Sequence, residues 1–314
     1  MIGRVHGADS KRTAAPCAAS GNDVGMHPGE SRDLWHLIET VHAVTYFSPV
    51  CRQARLDVGF KGFWMGYFAS RAAPLGEVGP GAVEAVFGGF APAMVLRALP
   101  DAWDHASPAE ALESRAEAAA AAVREAAAAV GLEDCDDHAA GLLDALDRVI
   151  ESADPLARPL FASNRTLMYD DPVADLWQMC TSLREHRGDG HVSVLAVEGF
   201  GSCEAHVLAA AANDTDPAVL RDNRGWSELD WADAEGTLRA AGVIAPGSLA
   251  LTERGRKLHE HIEARTDELA APPYAGIGES GRSLIRDGLI PLASAVAETC
   301  WIPFPNPIGL PEVA

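Results

Sequence analysis

The chain has 314 residues, enough for about two domains, and 45 acidic against 25 basic side chains leave a formal charge of −20. A field of that sign repels nucleic acid and anionic membranes, so duplex DNA binding would need a local basic patch strong enough to overcome it. Six scattered cysteines without a CxxC pair fit neither a zinc ribbon nor a disulfide framework, and no apolar run approaches the roughly 20 residues of a membrane span; the expectation is a soluble cytoplasmic protein with reduced thiols.

Residues 1–32 mix Gly, Pro, Ser and charge without apolar periodicity and read as a disordered leader. From Asp33 the pattern turns helical: Leu34, Ile38, Val41 and Thr45 recur at spacings of three and four, with Asp33 as N-cap. Ser48-Pro49 stops that helix and starts the next, with proline at the first helical position. A third helix, "FKGFWMGYFASRAAPLG", ends at Pro74 and Gly76, and two short helices punctuated by Gly89 and Pro92 follow. Ser107 with Glu110 three residues on forms a capping box for the Ala-rich helix that closes at Gly131. "DDHAAGLLDALDRVIESA" completes an all-helical domain over 33–165.

The second half, 173–275, has a different grammar. "VADLWQMCTSLREHRG" reads as a helix ending at Gly188, with Asp189 capping a second short helix and "GFGS" turning into a third. After a polar insert, "WSELDWADAEGTLRAAGVI" supplies another helix, capped by Ser227 with Asp230, and "SLALTERG" a strand that enters the helix "RKLHEHIEARTDELA". That order is a helix-turn-helix unit with a short β-hairpin wing. Residues 276–314 read as a C-terminal helix and a Pro-rich tail packing back on the fold. The fold class expected is therefore mainly α, a helical N-terminal domain plus a winged helix-turn-helix domain.

The phrase "TLRAAGVI…LALTERGRKL" makes the stretch from Gly190 to about Leu269 resemble a MarR-like winged helix. More broadly, "YFASRAAPLG", "LREHRGDGHV", "RGWSELDW", "ARTDELA" and "PNPIGLP" make the chain from His36 onward similar to an actinobacterial family of helix-turn-helix-like proteins. That resemblance implies architecture rather than activity. The helix in the DNA-reading position, Ser227 to Arg239, carries Glu228, Asp230, Asp233 and Glu235 against the single base Arg239, whereas groove readers present Arg, Lys, Asn or Gln.

Three clusters carry chemistry. His36, Glu39 and His42 follow one another at i, i+3 with Tyr46 at i+4 from His42; the spacing is looser than that of an HExxH metal helix, and it names no metal. Tyr67 and Arg71 share one helix face. "REHRGDGH" is the densest: Gly188 and Gly190 let the chain bend, aiming His186, Arg187 and His191 at a common point while Asp189 caps a helix or orients an imidazole. No Gly-rich phosphate loop, GxSxG elbow or catalytic cysteine signature stands in the chain, and no cofactor is indicated.

Two functions fit. In the first, a winged helix that has lost DNA binding serves as scaffold for an interdomain small-molecule pocket. His36, His42, Tyr46, Tyr67, Arg71 and Arg187 bind the ligand there, and His186, Asp189 and His191 are available for acid–base catalysis if there is turnover. In the second, the chain is a MarR-like ligand-responsive transcriptional regulator. Under the first the partners are a small molecule and, where the chain dimerises, a second copy of itself, with DNA disfavoured and no membrane.

Overall fold

A computed structural model describes residues 26–311. The expected leader lies outside the described residues up to position 25, and its last residues are helical. Helix α1 spans Pro28–His42, and the His27 imidazole caps it by accepting from the Gly29 amide at 3.3 Å. Glu30 pairs with Arg282 at 3.0 Å and Arg32 with Asp267 at 2.7 Å, which ties this turn to the body. Asp33 therefore lies inside the helix and caps nothing.

Short helices follow: α2 (Val44–Phe47), α3 (Pro49–Asp57), α4 (Gly62–Ala72), α5 (Pro80–Phe87) and α6 (Pro92–Leu96). Next come α7 (Pro108–Ala129), α8 (Cys135–Ser152), α9 (Pro159–Asn164) and the 26-residue α10 (Pro172–Val197). The chain then forms α11 (Ser202–Asn213), α12 (Pro217–Arg224), α13 (Glu228–Ala240), α14 (Glu253–Ala270) and α15 (Gly278–Glu298). Eight of these fifteen helices open on a proline, whose fixed φ and missing N–H suit the first turn, so punctuation carries much of the fold. The Ser107–Glu110 capping box forms as expected, and so does its Ser227–Asp230 variant.

Three apolar cores are built on this order. Leu34 and Ile38 of α1, Val123 of α7, Leu146 of α8, Trp177 of α10 and Leu289 of α15 belong to the first. Phe68 of α4, Phe87, Phe90 and Leu99 belong to the second, and Val207, Trp231, Leu238 and Ile262 of α11, α13 and α14 to the third. Helix α10 joins the first and the third: its first half is buried in the first core and Val194 near its end enters the third. Among the described residues no single helix is long and apolar enough to cross a membrane; α10 and α11 reach that composition only as a pair bent by 102°.

Two expectations fail here. The β-hairpin wing is absent: the described residues contain no strand, only an isolated antiparallel bridge between Ile244 and Leu251. The physical reason is shortage of free chain. The Val243 amide is committed to closing α13 on Leu238 O, and Thr252 already caps α14 by accepting from the Gly255 amide at 3.0 Å. Two backbone bonds do cross the loop, from the Thr252 amide to the Val243 carbonyl at 3.0 Å and from the Ala245 amide to the Ala250 carbonyl at 2.8 Å, but Pro246 and Gly247 follow at once and the pairing extends no further. Gly255 seals the base of the loop, since a Cβ there would stand 2.1 Å from the Val243 carbonyl oxygen.

The second failure is the bend at Gly188 and Gly190, because α10 runs straight through both. Gly190 instead makes room for a neighbour: a Cβ there would meet Arg158 Nη1 at 2.7 Å, and that guanidinium donates to the His186 and Leu269 carbonyls. Gly188 has only ordinary contacts at 3.7 Å. The polar insert before Trp226 also proves to be a helix, α12, capped by Asp216 with Pro217 at its first position.

Candidate functional site

Because α10 is continuous, the 100° turn per residue distributes the "REHRGDGH" groups over different faces. His186 and Asp189 face α9. Asp189 accepts from the Phe161 amide at 3.0 Å and so satisfies the start of α9 rather than orienting an imidazole. Burial raises its pKa to about 7. His186 lies edge-on to Phe161, and burial, then Arg158, lowers its pKa to about 3. Arg187 and His191 face α14 instead. Arg187 donates to Asp267 at 2.9 Å and stacks on Trp35 at 4.2 Å. Thr266 commits its hydroxyl proton to the Ile262 carbonyl, so it accepts from His191 Nδ1–H at 3.0 Å. His36 stands on this side as well, its pKa lowered by burial and by Arg187. The gap beside His186 and Arg187 measures about 10 Å³, room for one water at most.

His42 belongs elsewhere. It contacts α10 at Thr181, about 15 Å along the helix from His191 at 1.5 Å per residue. There the structure does bring four of the expected residues together: His42, Tyr46, Tyr67 and Arg71. Thr181 donates to the Trp177 carbonyl at 2.9 Å and must accept from His42 Nδ1–H at 2.9 Å. The bare Nε2 then accepts from the Tyr46 hydroxyl at 2.9 Å. Burial, reinforced by Arg184, holds the His42 pKa well below its ordinary value, in keeping with this neutral tautomer. Glu39, the third member of the His36–His42 series, lies toward Trp35 and Arg184, and no group of three metal-ligating side chains forms among the described residues.

Behind the tyrosines, Arg71 grips Glu185 with two hydrogen bonds of 3.0 and 3.1 Å and donates to the Tyr67 hydroxyl at 3.3 Å. Arg184 lies between Glu185 at 2.8 Å and Glu39 at 3.1 Å. Burial alone would raise the Glu185 pKa, but Arg184 and Arg71 overcome it and hold the carboxylate ionised. Arg115 donates to the Ser70 carbonyl, Asn164 and Gln178, all neutral acceptors. This inner cluster is packed almost solid, with about 20 Å³ of free space.

In front of it lies a cavity of about 600 Å³, in the ordinary range for small-molecule sites. Tyr46, Arg55 and Tyr67 form the wall shared between the cavity and the inner cluster. Phe47, Phe63 and Trp64 supply aromatic sides, Val219 and Arg224 of α12 close one edge, and the tail at Pro303–Ile308 covers another. Arg55 reaches the wall across Gly66 of α4, whose Cβ would sit 2.8 Å from its Cδ. A cleft of about 550 Å³ beside Lys61, Arg97, Asp101 and Asp104 is different, lined by exposed charges of both signs.

Arg55, Arg115, Arg184 and Glu185 are not in the sequence-based set. Arg115 was legible: Ala111, Arg115, Ala119 and Ala122 form one helical stripe of α7, and a lone base on such a stripe must enter the core. Arg55, on a mixed polar helix, gives no such sign.

The helices α11, α12 and α13, joined by tight turns and closed by α14 around one apolar core, define a mainly helical protein of the helix-turn-helix class. A helix-turn-helix family model matches residues 31–303, and the chain belongs to that family. No curated protein and no solved structure matches it.

Proposed function

We propose that this is a small-molecule-binding protein whose ligand occupies the cavity between α2–α4, α12 and the Pro-rich tail. The observation that carries the reading is the shared wall: Tyr46, Arg55 and Tyr67 stand between an aromatic cavity and a hydrogen-bonded cluster that fixes the orientation of the two tyrosines. Preorganised polar groups in a mostly apolar recess are what small-molecule recognition requires. His186, Asp189 and His191 receive no catalytic role, since each already serves the packing of α10. The four buried thiols among the described cysteines suit a cytoplasmic setting.

A ligand-responsive transcriptional regulator is the rival, and the helix-turn-helix unit favours it. Against it, Glu228, Asp230 and Asp233 are exposed on α13, while the one base there, Arg239, is held by Glu235 at 2.6 Å. Such a surface repels phosphates.

The test is a thermal-shift screen of a small-molecule library on the wild type and on Val219→Trp, which fills the cavity from α12. Compounds that stabilise the wild type should lose their effect in the variant, whose own midpoint stays within a few degrees. Hits indifferent to Val219→Trp would refute the assignment. Tight, sequence-dependent binding of the protein to its own upstream DNA at physiological salt would favour the rival.

A further inference from the structure

We propose that the ligand of this cavity is an organic acid, a carboxylate on a flat aromatic or other apolar body, and that Arg55 and Arg224 bind its carboxylate. The proposal rests on the pocket reading above and adds the ligand's chemistry to it.

The argument begins with charge. The chain carries nearly two acidic side chains for every basic one, yet the cavity is lined by Arg52, Arg55 and Arg224 and by no Asp or Glu. Arg52 is exposed and its charge is solvated. The other two are not so served. Arg55 is 6% exposed, and its Nη2 is sealed from solvent with no hydrogen-bond partner. Arg224 is half-buried with its Nε sealed and unpartnered; its Nη2 donates only to the Pro307 carbonyl at 2.6 Å. Among the described ion pairs neither has a carboxylate partner.

Inner neighbours do not cancel this surplus. Arg71 and Arg184 are matched by Glu185 and Glu39, while Arg115 donates to the neutral acceptors Ser70, Asn164 and Gln178. A buried cation without a counter-ion loses hydration and regains little from carbonyls or ring faces. Burial accordingly lowers the pKa of both Arg55 and Arg224. An anion entering the cavity restores what the fold leaves out, and a guanidinium fork matches a carboxylate with paired N–H donors.

The ligand's body follows from the other walls. Arg55 lies 5.4 Å from the centre of the Phe63 ring and Arg224 4.5 Å from Phe90, so aromatic faces border both cations. Trp64, Phe47 and the prolines of the tail add flat apolar surface. An anion with a planar apolar body meets both demands, whereas a bare inorganic anion would leave the apolar walls uncovered.

The test compares acids with their neutral isosteres on the full chain. Benzoate, 2-naphthoate and anthracene-2-carboxylate are titrated calorimetrically beside the corresponding amides, first with the wild type. At least one acid should bind about 10- to 100-fold more tightly than its amide, the range expected when a charged hydrogen bond replaces a neutral one. Arg55→Gln should erase that preference, bringing the affinity for the acid down to that for its amide in the same variant, and its ligand-free thermal midpoint should hold or rise, because an uncompensated buried charge is gone. Arg224→Gln gives a second reading should the first variant fold poorly. Acids and amides binding alike overturns the organic-acid proposal but leaves the pocket standing. Failure of every ring size in both forms overturns the pocket as well. A preference that survives both substitutions overturns the assignment of the two arginines.

Discussion

Gly188 and Gly190 are two residues apart in an uninterrupted helix, and the structure requires opposite outcomes when each is changed to alanine. At Gly188 a Cβ meets nothing nearer than 3.7 Å, so Gly188→Ala gains the ordinary helix preference of alanine, about 1 kcal/mol. At Gly190 the same gain meets Arg158 Nη1 at 2.7 Å. The guanidinium is buried between the His186 and Leu269 carbonyls and must swing away from them. Losing one or two charged hydrogen bonds at about 1.5–3 kcal/mol each exceeds the propensity gain, so Gly190→Ala should be destabilising by about 0.5–5 kcal/mol. Urea unfolding monitored by circular dichroism separates the two as shifts of the midpoint at constant slope. If both substitutions destabilise by similar amounts, the glycines are needed for a bend and the continuous α10 is wrong.

Two further perturbations bear on the buried charges. Burial raises the Asp189 pKa to about 7, so the folded state holds a proton that the unfolded chain releases near pH 4, and this group's contribution to stability falls as pH rises between those values. Asp189→Asn should therefore gain stability on the wild type from pH 4 to 7 in urea titrations, against the opposing background of buried neutral His42 and His186, and a parallel pair of pH profiles would contradict the assignment. Glu185→Gln strips the carboxylate from between Arg71 and Arg184 and should cost about 3–5 kcal/mol, as removal of one partner of a buried ion pair does; a loss below about 1 kcal/mol would show that water reaches the cluster.

Much of the helical order was legible because it is written in local punctuation. Ser48-Pro49, Ser107 with Glu110 and Ser227 with Asp230 each act within four residues, and each starts a helix where expected. The errors arose where local grammar admits two solutions. Glycines in "RGDGH" serve equally as hinge or as clearance for a neighbouring side chain, and only Arg158, 32 positions before Gly190, decides between them. The wing failed similarly: the Val243 amide closes α13 and the Thr252 hydroxyl caps α14, so the pairing of Thr252 with Val243 stops at an isolated bridge. Asp216-Pro217, by contrast, was a readable cap passed over inside a polar stretch.

The candidate site was half visible for a related reason. Tyr46 lies four residues from His42 and Arg71 four from Tyr67, so each pair announces itself on one helix. What joins the pairs is one face of α10, where Thr181 accepts from His42 and Glu185, one turn later, accepts from Arg71, while Arg187 points away to Asp267. The property that gives the cavity its chemistry is not local at all. Arg55 is an unremarkable base four residues after Cys51 and becomes an unpaired cation only when Gly66 lets it lie across α4 beneath a tail more than 240 residues later in the chain. Absence of a counter-ion is a statement about every neighbour in space. It follows from the assembled fold, where an acidic protein leaves the buried Arg55 and the half-buried Arg224 without a carboxylate beside an aromatic recess.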